Sequence, residues 1–463
     1  MDATDRPATG PTDRPATGPT SIFSMLHRTF GDPVMEAAWS ETATIEGWLR
    51  TEAALSLAQA EVGDLDPAWA RAIADVCTID AIDVPALWAG MANVGYPILG
   101  VVRQLSERLP AGPSGVVHYG ATTQDIMDTG FALQLRDALD RLDALVDLFG
   151  DALAAGAERY ADLVMAGRTH GQQAVPTTLG AKLAIFLRQA ARVRADLAAV
   201  RPEVCVLSLY GAGGSSAAFG ANAERVRAVM APMLGLATPD GPRHAARDAF
   251  AAYGAACARA AALCTRLARE VIDLSRTEIG EIGEAGGHHR GASSTMPQKA
   301  NPIDSEMVLG MAVTAADLSG SLYRAMEVQQ ERSAGEWQIE WHVLPQVSCL
   351  VAGALMIAAR IVTGLAVHPE RMAANLAAEQ GRTIAEAYMF VLAPTLGREQ
   401  AHDVVYEAAV RSKRDGVDLR AALIEVSGRS PADIPALTPA DWLGDSAAQT
   451  AAAVAAWREG RRA

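Results

Sequence analysis

Apolar residues recur through the middle of the chain in alternating steps of four and three. Leu135, Leu139, Leu142, Val146, Phe149 and Leu153 form one series. Leu179, Leu183, Phe186, Ala190, Val193, Leu197 and Val200 form a second, and Phe250, Tyr253, Cys257, Ala260, Cys264, Leu267, Val271 and Leu274 a third. Weaker versions run over 307–328 and 344–365. Such spacing keeps each series on one stripe of a helix with 3.6 residues per turn. Five long helices with a heptad-like seam predict a bundle that crosses at shallow angles. Many seam positions are small, Ala190 and Ala260 among them, and other faces of these helices are also rich in alanine. A helix that is apolar on more than one face needs more partners than one chain supplies, which predicts homo-oligomerisation through the bundle.

The flanks read differently. Residues 1–20 carry TDRPATGP twice in tandem, Thr4–Pro11 and Thr12–Pro19, with no periodic apolar positions, and predict a disordered leader. From there to residue 117 the pattern predicts a small helical domain. It opens with Asp32-Pro33 as N-cap and first-turn proline and is punctuated at Pro67, Pro85, Pro97 and Pro110. Beyond Leu365 the periods shorten again between Pro369, Pro394, Pro431, Pro435 and Pro439. The expected fold is all-α in three helical domains: 21–117, a central bundle over 118–365, and 366–463.

Composition narrows the function. Half of the 463 residues are hydrophobic, enough for a large core. A net charge of −14 argues against nucleic acid as a main partner, though it says little about a small anion met by a local site. The five cysteines show no CxxC or Cys/His metal spacing and read as reduced core thiols. No apolar run looks long enough to span a bilayer and no signal peptide is visible, so the expected location is cytoplasmic.

The richest chemistry lies in Gly291–Pro302, GASSTMPQKANP. Two serines offer hydroxyls and backbone N–H groups, Met296-Pro297 stiffens the turn, Lys299 adds a cation and Asn301 an amide. Upstream glycines at 283, 286, 287 and 291 would let this segment move as a lid. A second segment, His118-Tyr119-Gly120-Ala121-Thr122-Thr123-Gln124-Asp125, lies just before the first seam helix, where free N–H groups favour an anion. Taken alone, its threonines and Asp125 read better as simple N-caps than as an anion site. A third, Gly167-Arg168-Thr169-His170-Gly171-Gln172, precedes the second seam helix. Two further motifs carry less. Gly211-Ala212-Gly213-Gly214-Ser215-Ser216 follows a strand-like run but lacks the third glycine and the βαβ setting of a dinucleotide loop. His288-His289 has no acidic or Cys partner at ligand spacing, so no metal and no other cofactor is expected.

All three segments, in this chain order, resemble the conserved regions of the fumarase/aspartase superfamily, whose loop pattern is GSSxMPxKxNP. One position departs. Ala292 stands where the pattern has glycine and Gly291 lies one place earlier, which bears on the backbone at 292 but not on the side-chain chemistry. The resemblance implies a homotetramer with a twenty-helix core and sites built from three subunits. It puts the base at Ser293 and a histidine facing the leaving group at His170. Ser294, Lys299 and Asn301 fall on substrate-binding positions, with Thr122, Thr123 and Thr169 opposite and His118 and Gln172 beside them. Removing a proton next to a carboxylate creates a doubly charged aci-carboxylate, which preorganised donors must stabilise.

The stretch Gln330-Glu331-Arg332-Ser333 through Trp337-Gln338-Ile339-Glu340-Trp341 is similar to the 3-carboxy-cis,cis-muconate cycloisomerase branch, as are Ala121–Thr129 and the Arg247-Asp248 helix start. It replaces the arginine- and serine-rich nucleotide segment of adenylosuccinate lyase. Arg332 reads as a bidentate carboxylate ligand or as a surface partner of Glu331 or Glu336. Cycloisomerases of the branch carry tryptophan where this chain has His170. Retention of His170 and Gln172 points to a lyase making fumarate from a substituted succinate, with nitrosuccinate as leading substrate. The cycloisomerase reaction is the runner-up, and a catalytically silent structural protein the third reading.

Overall fold

The computed structural model describes residues 30–296, 298–332 and 335–461. The repeated leader lies outside the described residues. Five long helices form the centre: α2 (Thr123–Arg159), α3 (Leu179–Val204), α4 (Asp248–Leu274), α5 (Ile303–Ser319) and α6 (Glu336–Thr363). Ahead of them runs α1 (Glu41–Val62), capped by Ser40, whose Oγ accepts the Ala43 N–H. The four-and-three series is the core itself. Every residue of the three strong series is buried, with Leu135, Leu139, Leu142, Phe149 and Leu153 wholly inaccessible.

The two weak series differ at their ends. Helix α5 stops at Ser319, whose Oγ turns back to the Ala315 carbonyl, and Gly320 follows; only one further turn, Ser321–Arg324, is helical. Helix α6 begins at Glu336, eight residues before the apolar series does, because its first turns are held by buried polar contacts and by Trp337 packing in a separate apolar cluster. It is also long and apolar enough to cross a membrane, contrary to the reading of the sequence. In its most apolar window 78% of the residues are buried inside the protein, so it is the central rod of the bundle.

Smaller cores flank the centre. Ile45, Trp48, Leu49, Ile73, Leu87, Ile98 and Val101 pack with Trp337 on one side, and Ile384, Tyr388, Leu392, Val405, Leu419 and Leu423 form another. Helix α7 (Ser446–Gly460) does not join the latter. It returns to the bundle, where Val454 and Trp457 enter the central core and Trp457 lies over Gly150. A side chain at 150 would drive into that indole, since a Cβ there falls 2.1 Å from the ring.

The strands are short. β1 (Val164–Thr169) and β2 (Gln172–Thr178) make a hairpin between α2 and α3, and β3 (Ile282–Gly283) pairs with β4 (Ala366–Val367) at the root of the 291–302 loop.

Candidate active site

Asp125 builds the start of α2. Its Oδ2 accepts the Thr122 N–H at 3.0 Å, which fixes the helix start. It also accepts the N–H groups of Tyr210 at 2.8 Å and Gly211 at 2.9 Å, and His244 Nε2 lies 2.8 Å from Oδ1. Burial works to raise this carboxyl, but the hydrogen bond and charge of His244 and the N–H groups of Tyr210 and Thr122 together hold it below the usual range. The Gly211 turn is thereby pinned against the helix start. Gly211 has φ 73°, and a Cβ there would stand 3.2 Å from the Gly120 carbonyl oxygen. The glycine-rich motif, already set aside as a dinucleotide loop on its sequence, is thus a rim of the Thr122 site.

Arg332 closes the other side. Both terminal guanidinium nitrogens lie 3.3 Å from Thr122 Oγ1, and Nη2 donates to the Ala212 carbonyl at 2.9 Å. Its Nε is buried without a partner, so the fork keeps donor capacity to spare. Thr123 is the first residue of α2 and half-buried beside it. His118 faces elsewhere. With φ 62° it turns its Nδ1 to within 2.6 Å of the Glu52 carboxylate, which is fully buried. Burial alone would lower the His118 pKa, but the charge and hydrogen bond of Glu52, aided by Asp125, raise it above its ordinary value.

His170 occupies the tip of the β1–β2 hairpin rather than a loop leading directly into α3. His170 and Gly171 have φ of 51° and 75°, the positive pair that a two-residue hairpin turn of the right twist demands. The apolar series starts only at Leu179, and the polar residues before it do not show period-two alternation strongly enough to reveal a hairpin. Thr169, His170 and Gln172 are all exposed at the tip. One residue below the tip, Arg168 makes a two-pronged pair with Glu281, at 2.9 and 2.6 Å, and Asn375 donates to the same carboxylate at 2.7 Å. Glu281 immediately precedes β3, so the hairpin and the root of the 291–302 loop share one anchor.

The loop is tied at both ends. Glu284 accepts the N–H groups of Asp304 and Ser305 and the Ser305 hydroxyl, capping α5 from a distance. Asp304 in turn holds Arg290 at 2.5 Å and both prongs of Arg360. Gly291 and Asn301 close the neck: the Gly291 carbonyl accepts the Asn301 N–H at 2.8 Å and its side-chain amide at 3.0 Å. The displaced glycine is explained here. Gly291 sits at φ 68°, and a Cβ would fall 2.4 Å from the Asn301 carbonyl oxygen, whereas Ala292 has no positive φ and forms an isolated bridge with Ala300. Gly291→Ala should therefore cost about 1–2 kcal/mol from the left-handed backbone alone, with the clash added. We expect a Tm lower by a few degrees and a larger loss of turnover, measured on the same preparation; an unaltered Tm and rate would contradict the neck geometry.

Inside the loop, Ser293 is half-buried and its Oγ accepts the N–H groups of Thr295 at 3.3 Å and Met296 at 3.1 Å. Ser294 and Lys299 are exposed on the same loop. His288 and His289 pack edge to face upstream of it, their ring centres 3.9 Å apart. Among the described residues no group of His, Cys, Asp or Glu is arranged to hold a metal.

One chain therefore brings Thr122 and Arg332 together and builds Ser293 into a donor-lined turn. No hydrogen bond or ion pair among the described residues links Ser293, His170 and Thr122 to one another. The sequence reading missed the buried cluster beneath Thr122, which joins Asp128, Arg247 and Glu340, with His244 on Asp125. A signal existed. Asp128 stands in the run Ile126-Met127-Asp128-Thr129-Gly130-Phe131, and a charge in so apolar a setting must be paired.

A long helical bundle with polar segments gathered at helix starts and on a tied loop defines a class of all-helical lyases. The chain matches the family model described as Lyase over residues 31–316. 3-Carboxy-cis,cis-muconate cycloisomerase of Pseudomonas aeruginosa is 39% identical over 430 residues, covering 91% of this chain and 94% of that one. Nitrosuccinate lyase of Streptomyces davaonensis is 35% identical over 425 residues, covering 89% and 88%. The crystal structure of 3-carboxy-cis,cis-muconate lactonizing enzyme from Pseudomonas putida superposes with a TM-score of 0.87 at 36% identity, over 94% of this chain and 99% of that one. The chain belongs to the fumarase/aspartase superfamily and is an enzyme of its 3-carboxy-cis,cis-muconate cycloisomerase-like branch.

Proposed function

We propose that this enzyme catalyses β-elimination from a substituted succinate to give fumarate, with Ser293 as the base. The observation that carries the reading is the pair of N–H groups directed at Ser293 Oγ, because a serine alkoxide is a usable base only where donors stabilise it. Ser293 takes the Cβ proton. The electron pair it leaves is held as an aci-carboxylate by Thr122, Thr123 and Arg332, with Asn301, Ser294 and Lys299 supplied by the loop. Collapse of that intermediate forms the double bond and expels the leaving group with its bonding pair. One such donor is typically worth about 3 kcal/mol in the transition state.

The separation of the three segments within one chain supports a homotetramer whose sites draw on several subunits. So do the exposed apolar residues Leu148, Ile185 and Val313 on the long helices, and the open groove between α4 and α5 beside Leu309 and Val313.

Nitrosuccinate, giving fumarate and nitrite, is the leading specific substrate, since a nitrosuccinate lyase is among the relatives and His170 stands at the hairpin tip. The cycloisomerase reaction is the second reading, favoured by the P. aeruginosa relative. A panel of substituted succinates monitored by fumarate absorbance, with 3-carboxy-cis,cis-muconate as the competing substrate, tests the choice. Turnover of the muconate alone would establish the second reading. Inactivity on the whole panel by a folded oligomer would leave the structural protein.

A further inference from the structure

Beneath the Thr122 site lies a cluster that the proposed chemistry does not use. Arg247, directly before α4, has its side chain 2% exposed and spends all five of its N–H donors. Nε and Nη2 reach the two oxygens of Glu340 on α6, at 2.8 and 2.5 Å. Nη1 and Nη2 reach the two oxygens of Asp128 on α2, at 2.6 and 3.1 Å, and Nη1 also donates to the Arg243 carbonyl at 2.9 Å. Trp337 Nε1 adds a bond to Asp128 Oδ1 at 3.0 Å, and the Phe250 ring covers the guanidinium at 4.7 Å. One cation thus faces two dry carboxylates. Burial foremost, with Asp128 adding to it, pushes the Glu340 carboxyl up to about 7 against the pull of Arg247.

Clusters of this kind add little net stability compared with apolar packing of the same volume. What this one fixes is a distance. Asp128 is six residues along α2 from Thr122, on a rigid helix, and Glu340 and Trp337 are in the first turns of α6, just after the segment that carries Arg332. Arg332 then returns to Thr122 Oγ1, closing a ring whose far corner is Arg247.

We propose that Arg247 is a positioning residue. By clamping α6 to α2 through Asp128 and Glu340, it sets the reach of Arg332 to Thr122 and so the grip of that pair on a substrate carboxylate. The inference rests on the reading of Arg332 and Thr122 as carboxylate ligands, and its test separates the two. Arg247→Lys keeps the charge but has three donors from one point and cannot hold both carboxylates in a plane. Glu340→Gln keeps the shape but turns an N–H2 toward the guanidinium. Both are compared with Arg332→Ala and with the double variants, using KM and kcat for whichever succinate the wild type consumes, and inhibition by fumarate.

Either clamp variant should raise KM and the fumarate inhibition constant about tenfold with kcat changed much less. In the Arg332→Ala background the clamp variants should add nothing further, because they act through a residue already removed. A merely structural role would give additive losses, or lower the amount of folded enzyme at unaltered KM. Should Arg247→Lys fail to fold, Glu340→Gln decides the matter. Unaltered KM in Arg332→Ala overturns the carboxylate assignment itself. Altered KM there, with additive or absent effects of Glu340→Gln, overturns the role of Arg247 alone.

Discussion

Ser293→Ala should lower kcat by roughly 10³-fold or more while leaving KM close to the wild-type value. The hydroxyl is small and half-buried, and among the described residues it bonds within its own turn, to Thr295 and Met296, so its removal takes away little that holds the fold. What it removes is the group that accepts the Cβ proton, an interaction made only as the reaction proceeds. Losses of that kind appear in kcat rather than in KM. The two N–H groups would remain in place and would then face water or substrate. Steady-state kinetics with a binding measurement for fumarate separates the terms. Wild-type turnover by the alanine variant would remove Ser293 from the mechanism and with it the reading of the loop.

The second large effect belongs to His170 and depends on the leaving group. An amine departs readily only when protonated, and general-acid help is typically worth ~10²–10⁴-fold. Nitrite is a stable, weakly basic anion and needs little such help. His170→Asn should therefore slow an amine-releasing substrate by that factor and nitrosuccinate by far less, where both are accepted. The exposed hairpin tip makes this a clean variant, because asparagine tolerates the positive φ of 51° and the turn keeps Gly171 at 75°. Equal losses on both substrates would reject the leaving-group argument while leaving the base assignment intact.

The bundle was legible because its residues repeat a helical period without interruption, and the buried series in α2, α3 and α4 are the series read from the sequence. The loop was legible for another reason: Met-Pro-x-Lys-x-Asn-Pro is a local signature whose chemistry needs no tertiary partner. Three features were hidden, the last two because they depend on long-range geometry. The hairpin under His170 is short and set by two backbone angles at its turn. The Gly211 motif was rejected as a nucleotide loop but left without a role, because nothing local says that the N–H groups of Tyr210 and Gly211 end on Asp125, 85 and 86 residues earlier. The Arg247 clamp joins partners 119 and 93 residues away, and no period announces such a pair. Only the unpaired look of Asp128 in an apolar run pointed to it.

The return of α7 to the bundle has a consequence for how this chain is made. Trp457 covers Gly150 and donates to Asp151 across 306 residues of sequence, and Arg458 pairs with Glu158 across 300. Helices α2 and α3 thus emerge from the ribosome long before the segment that seals their outer face. At a usual synthesis rate of roughly 5–20 residues per second, that interval lasts about 15–60 seconds. Throughout it, Gly150 and the apolar residues around it stand uncovered on the nascent chain. The order of synthesis therefore makes the segment Ser446–Gly460 a late closing step, and the interval before it the time in which nascent chains are most open to chaperone capture or premature association.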